Sequence, residues 1–217
     1  MNFMPYTGLQ WSDGWLLFDG LIATLIVTAL AAVAGTVLGV VLGVLREESR
    51  VMRWLLALPV DILRSVPLII QVILVNALLG IIGLRWEVLA VAVVALALYM
   101  AAFTSEIVRG GIKSVPLATR RAARSLGMNR LQELWHVTLP IAARNVLPSW
   151  IGVLLGLVKD SSLVAVVGYV ELLRASQILI NRSNQALLLL CIAGTVYFAI
   201  CYPISLLSRR WEKANRT

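Results

Sequence analysis

The 217-residue chain is 60% hydrophobic and only 14% charged, with a mean hydropathy of +0.89. That is more apolar surface than a soluble domain of this length can bury, so the chain belongs in lipid. A formal charge of +8 would suggest nucleic acid in a soluble protein. In a membrane protein it is first a topology signal, and no nucleic-acid partner is expected.

The opening stretch MNFMPYTGLQWSDGW has no basic region ahead of its first apolar run, and nothing in it looks like a cleaved signal. No linker or low-complexity tract divides the chain, so residues 1–217 read as one membrane domain. A crossing helix needs about 20 mainly apolar residues, and about five stretches supply such material. The first, residues 20–45, carries no charge and places Gly35, Gly39 and Gly43 on one helical face. Such a stripe lets another backbone approach closely, either for internal helix packing or beside a substrate.

The second stretch, residues 52–84, is interrupted by Pro59, Asp61, Arg64 and Pro67, which a span tolerates where protein or water lines it. Arg64 lies about eleven residues in, about 16 Å along a helix, and is expected near mid-membrane. Intramembrane charges are functional candidates by default. Asp61 and Arg64, three residues apart, either neutralise each other or meet a substrate. The third stretch, residues 88–105, is short and is expected to extend in both directions. Beyond it Glu106 pairs with Arg109, one turn on, near the cytoplasmic interface.

Residues 113–136 are too polar to span. Ser114 as a cap and Pro116 in the first turn open a short helix through LATRRAARSL that stops at Gly127. At 100° per residue, Arg120, Arg121 and Arg124 share one arc, while Ala118, Ala122, Ala123 and Leu126 share the opposite one. The small-residue arc can enter a groove, and the basic one can lie on anionic headgroups. Asn129 and Gln132 fit a capping box that opens a second short helix toward Trp135.

The fourth stretch, residues 137–159, carries Arg144 and Pro148 and repeats the small-residue spacing at Gly152 and Gly156. Asp160, Ser161 and Ser162 follow, and SSLVAVVGYV is apolar but half a span long, which predicts a re-entrant or short buried helix. The three polar residues either cap that helix or meet a substrate amino group. Residues 163–182 read as an external loop. The fifth stretch, residues 183–208, is uncharged, and its Cys191 and Cys201 serve as small apolar side chains.

Basic residues concentrate in alternate connections. Arg46, Arg50 and Arg53, then Arg109 through Arg130, then Arg209, Arg210, Lys213 and Arg216 fall on one side. Only Arg85, Arg174 and Arg182 fall on the other. That asymmetry predicts an N-terminus outside and a C-terminus inside, with Trp11, Trp15 and Trp86 near the outer interface and Trp54 and Trp211 near the inner one. His136 is the only histidine, so no histidine-based metal site is expected. RGGIKS lacks the Gly-Lys pair of a phosphate-cradling loop, and neither a zinc-protease helix motif nor a nucleophile elbow is present.

The stretch RAARSLGMNRLQELWHVTLP resembles the cytoplasmic signature of bacterial ABC importer permeases: Glu-Ala-Ala, three residues, Gly, nine residues, Ile, one residue, Leu-Pro. Ala122, Ala123, Gly127, Val137, Leu139 and Pro140 fall in register. LRSVPLI (63–69), SEIVRGGIKSVP (105–116) and KDSSLVAVVGYVELLR (159–174) resemble further segments of the polar amino-acid uptake branch. Two departures stand out. Arg121 replaces the motif's Glu, and Ala118 and Thr119 replace the Gly-Gln common in that branch.

The resemblance implies an all-α, polytopic permease of the type I importer (MetI-like) fold in a bacterial inner membrane. It implies pairing with a second permease subunit, identical or paralogous, docking to two ATPase subunits, and delivery of solute by an extracytoplasmic binding protein. ATP and Mg would act on the ATPase partners, with no cofactor in this chain. Residues 113–136 would supply the coupling helices, with Arg120, Arg121, Ala122, Ala123, Arg124, Leu126 and Gly127 at the ATPase. Asp61, Arg64, Pro67, Asp160, Ser161 and Ser162 would line the substrate path. The competing class is a self-sufficient secondary transporter or channel, driven by an ion gradient through Asp61, Glu106 and Asp160.

Overall fold

A computed structural model describes residues 8–214 except Arg85, and the described residues form helices with no strand among them. Of the basic residues that set the expected orientation, Arg85, Arg216 and the side chain of Lys213 lie outside the described part. Helix α1 (Asp13–Glu48) and helix α4 (Val88–Ser114) form the spine. They meet through the glycine stripe. A Cβ on Gly35 would stand 2.6 Å from the Met100 Cβ, one on Gly39 2.6 Å from the Thr104 Cβ, and one on Gly43 2.8 Å from the Ser105 carbonyl. Contacts advance in the same direction along both helices, so α1 and α4 run parallel. The stripe is therefore internal packing, as small residues allow where apolar solvent gives helices no hydrophobic reason to associate.

Between these two helices the chain turns back through a broken pair, α2 (Arg50–Ser65) and α3 (Leu68–Ile81), bent by 113°. The expected interruption of this stretch is a sharp bend between two helices rather than a kink in one. Pro67 holds Val66 extended (φ −79°, ψ 132°) and ends α2. The buried Gln71 side chain then donates through Nε2 to the Leu63 and Val66 carbonyls, each at 2.8 Å, satisfying groups that the break orphans. At 14 residues α3 is about 21 Å long, short of a full hydrocarbon core. α4 also departs from expectation. It starts at Val88, after extended Glu87 and a turn with Gly83 at φ 75°, and lengthens only toward its C-terminus.

Past α4, Ser114 is not a cap. It closes α4, its hydroxyl donating to the Gly111 carbonyl at 2.7 Å, and Pro116 takes the cap position of α5 (Leu117–Ser125). The next turn, α6 (Arg130–Glu133), is not a separate helix. It runs through a π-helical turn (Leu134–Thr138) into α7 (Leu139–Asp160). Pro140 has no N–H for the His136 carbonyl, and the Leu139 N–H bonds instead to Leu134, five residues back. A 3₁₀ segment (Ser161–Val167), the short buried helix expected there, ends at Gly168 with φ 94°.

The stretch expected to be an external loop contains α8 (Leu172–Ser183), and α9 (Ala186–Ala214) completes the fold. α8 is capped by the fully buried Glu171, whose carboxylate accepts the Leu173 and Arg174 N–H groups at 2.8 and 2.7 Å and the Tyr197 hydroxyl at 2.9 Å. Burial pushes this carboxyl above the usual glutamate range, and those three hydrogen bonds oppose the rise. Among the described residues, four helical runs are long and apolar enough to cross a membrane, and the bent pair makes a fifth crossing if counted as one. The main core, including Val27, Ala31, Leu96, Met100, Leu157 and Val164, sits where α1, α4, α7 and the 3₁₀ segment converge.

Gly39→Ala should lower the thermal midpoint of the detergent-solubilised protein, because the added Cβ meets the Ala101 carbonyl at 2.8 Å; overpacking of this kind costs about 1–3 kcal/mol. Gly152→Ala, at a position with nothing within 4 Å, should leave it unchanged or raise it. Equal responses would contradict the assignment of the stripe to the α1–α4 contact.

Candidate functional site

Charge gathers at the end of the bundle where α1 finishes. Arg46, 2% exposed, donates to the Ser105 hydroxyl at 2.9 Å and to Glu106 at 2.7 Å. Arg109 also reaches Glu106, at 3.0 Å to both oxygens, forming the expected one-turn pair. Glu47 stands 3.7 Å from Arg109 and 3.8 Å from Lys113. A buried guanidinium left unpaired here would cost several kcal/mol, so these acids hold the ends of α1 and α4 in one arrangement.

The α5–α6 hairpin hangs from this cluster. Glu48, the last residue of α1, pairs with Arg130 at 2.7 Å and with Arg120 at 3.9 Å. Arg120 also reaches the fully buried Glu133 at 3.1 Å, and Glu133 accepts a short hydrogen bond from the Thr138 hydroxyl in the π turn. α5 ends as the sequence requires. Gly127 has φ 90°, which a side chain disfavours, and the Gly127 and Met128 N–H groups fold back onto the carbonyls of Arg124 and Ala123. The expected capping box is complete. The Asn129 side chain accepts the Gln132 N–H, and Gln132 accepts the Asn129 N–H, each at 2.9 Å.

The two arcs drawn for α5 do not survive intact. The buried side of the helix takes Arg120 from one arc and Ala123 from the other, because Glu133 and Glu48 draw Arg120 inward. Ala118, Arg121, Ala122, Arg124 and Leu126 are left facing outward, and so is Gly127 at the tip. Leu126, Gly127, Met128, Gln132 and His136 line a concavity beside them. The exposed surface thus mixes small, apolar and basic groups on a hairpin whose inner side is fixed by ion pairs.

The remaining candidates fall in two groups. Arg64 is not at mid-bundle. It lies 3.8 Å from Asp61, 4.0 Å from Glu106 and 5.6 Å from the centre of the Phe103 ring, at the level of the last turns of α1. The direction of α2 accounts for this, since it crosses the bundle instead of rising through it, and the chain turns by 113° only after Arg64. Asp160 makes no cap to the 3₁₀ segment, so the capping reading fails for it, and its carboxylate lies beside the Tyr99 hydroxyl of α4. Ser161 and Ser162 donate to the Val158 and Lys159 carbonyls, each at 2.8 Å. Among the described residues, no hydrogen bond or ion pair joins Asp61 or Arg64 to Asp160, Ser161 or Ser162; between Arg64 and Asp160 stand the rings of Phe103 and Tyr99, with centroids 4.8 Å apart.

The acids Glu47, Glu48 and Glu133 have no place in the reading of the sequence. A signal for them exists. Of eleven acidic residues, Glu47, Glu48, Asp61, Glu106, Glu133 and Glu212 fall in or beside the Arg-rich connections, and a buried arginine at a span end needs such a partner.

Residues 35–216 match the protein family described as the binding-protein-dependent transport system inner membrane component. The chain is 32% identical over 200 residues to a probable glutamine ABC transporter permease of Bacillus subtilis (strain 168), covering 90% of this chain and 92% of that protein. It is 31% identical over 165 residues to an L-cystine transport system permease of the same organism, covering 76% of this chain and 70% of the relative. Among solved structures, an amino acid ABC transporter with histidines superposes with a TM-score of 0.85 at 27% identity, covering 96% of this chain and all of that one. The fold is also that of a chain of the MetNI methionine ABC transporter, with a TM-score of 0.79 at 24% identity over 95% of this chain and 99% of that one.

Removing the partner of a buried carboxylate is costly, so Arg120→Met should destabilise the protein by about 3 kcal/mol. The exposed Arg121→Ala should change it by less than about 0.5 kcal/mol. Thermal midpoints in detergent distinguish the two, and similar losses would mean that Arg120 is not the inward anchor of α5.

Proposed function

This chain belongs to the family of binding-protein-dependent transport system inner membrane components, and from that premise we propose that it imports an amino acid or similarly small polar solute. It is a membrane-embedded permease subunit of an ABC importer. It forms the translocation path and receives force, while ATP, with Mg, is hydrolysed on two separate ATPase subunits. A second permease, identical or paralogous, completes the path, and a solute-binding protein delivers the ligand from outside. The charge asymmetry supports an N-terminus outside and a C-terminus inside a bacterial inner membrane. The names of the glutamine and cystine relatives support an amino acid as cargo.

The observation that carries this reading is the outward face of α5 with its left-handed Gly127, presented on a hairpin anchored to α1 through Glu48. Arg121, Ala122, Arg124, Leu126 and Gly127 are proposed to enter a groove of the ATPase. Ala123 and Arg120 set the position of that face from behind. Because Arg121 replaces the Glu of the signature that this segment resembles, the groove it enters should carry acidic groups. Asp61, Arg64 and Pro67 are proposed to line the inner end of the path, at the break between α2 and α3. Asp160, Ser161 and Ser162 are proposed to line it beside the 3₁₀ segment.

In proteoliposomes the chain alone should show no uptake under an ion gradient, and ATP-dependent uptake should require the cognate ATPase and binding protein. Gly127→Asp, which forces a side chain into the left-handed region, should abolish ATPase association and uptake together. Gradient-driven uptake by the chain alone would instead establish a secondary transporter.

A further inference from the structure

Helix α2 carries a feature that transport does not use. Val51, Trp54, Leu55, Leu58 and Ile62 are between 49% and 77% exposed. At 100° per residue they fall within about 100° of arc. Val60, the buried residue of the helix, lies on the opposite side. Arg50, Arg53, Asp61 and Arg64 fall together on a separate arc of about 80°. A helix that turns an apolar face away from its own protein, with charges gathered on one flank, has the composition of an interfacial helix.

The position of α2 points the same way. Near its start, Arg53 donates to the Arg46 and Glu47 carbonyls, each at 3.1 Å. Near its end, Arg64 lies 4.0 Å from Glu106, the same carboxylate that Arg46 holds at 2.7 Å. Eleven residues of helix, about 16 Å, separate Arg53 from Arg64. Both nevertheless reach the level of the last turn of α1, so α2 runs across the bundle axis. The 113° bend into α3 agrees.

We infer that α2 lies in the plane of the membrane surface at the end of α1, its apolar face sunk among the acyl chains of an anionic leaflet and Arg50 at the headgroups. Three observations favour lipid as the occupant. The exposed apolar surface of α1 continues to Leu45, four residues before the break at Ser49. Trp54, 77% exposed, is the side chain that membrane–water boundaries select. Arg50 is exposed and makes no ion pair among the described residues, which leaves its charge for a lipid phosphate.

The test uses the assembled transporter in lipid nanodiscs, with Cys191 and Cys201 replaced by Ala and single nitroxide labels at Val51, Leu55, Leu58 and Ile62 in turn. Collision with oxygen should be high and with a water-soluble nickel chelate low at all four, and phosphatidylglycerol should be enriched around the label over phosphatidylcholine. Arg50→Gln should reduce that enrichment roughly fivefold, the factor expected for one basic residue at an anionic surface. Nickel access would overturn the inference by placing the face in water. Spin–spin broadening would overturn it in favour of a second copy of the chain, and protection from both reagents in favour of a partner protein. Equal preference for the two lipids would overturn the anionic assignment.

Discussion

The close approach of α1 and α4 is the constraint on which the rest of the molecule depends. In lipid, two helices gain nothing by hiding apolar side chains from each other, and association rests on packing at short range. Gly35, Gly39 and Gly43 provide that range by letting the α4 backbone stand where side chains would otherwise be. The parallel pairing has a topological consequence. Two helices that run the same way must be joined by a return through the bilayer, and the bent pair α2–α3 is that return.

The spine also decides where force can enter. At its end the buried Arg46 of α1 and the half-buried Arg109 of α4 share the Glu106 carboxylate, and Glu48 extends the same network to Arg120 and Arg130 of the α5–α6 hairpin. Ion pairs of this kind contribute little net stability, since desolvation offsets most of the attraction. Their value is geometric. Breaking one leaves an unpaired charge, so the hairpin is held in one orientation relative to α1. On the other side of α6, the π turn accommodates Pro140 and carries the hairpin directly into α7. A push on α5, the proposed ATPase contact, would reach two membrane helices through one short lever.

Much of this was legible in the sequence, where local chemistry dictates it. The uncharged runs around α1 and α9, the small-residue stripe, the stop at Gly127 and the Asn129–Gln132 box each depend on residues within a few positions of one another. The twenty-residue signature likewise resides in one segment. What was not legible depended on partners distant in sequence. Arg64 reads as a mid-membrane charge only if α2 rises along the bundle from its first residue; the shared reach of Arg64 and Arg46 to Glu106 shows that it runs across instead. The arc assignment on α5 failed for a related reason, since an arginine pattern does not reveal that Glu133, thirteen residues on, draws Arg120 inward. α8 was readable and missed. Glu171 at its start and Asn184, left-handed at φ 58°, at its end are ordinary helix boundaries.

If α5 receives the ATPases as proposed, α5 and the end of α1 should move as one body when the ATPases close. Pulsed electron–electron spectroscopy between nitroxides at Arg121→Cys on α5 and Leu45→Cys on α1, with Cys191 and Cys201 replaced, measures this directly in the assembled transporter. The account predicts one distance, unchanged between nucleotide-free and ATP-bound states. A change on the order of 5 Å, the slip of one helical turn, would show that the hairpin moves independently of the spine and would contradict it.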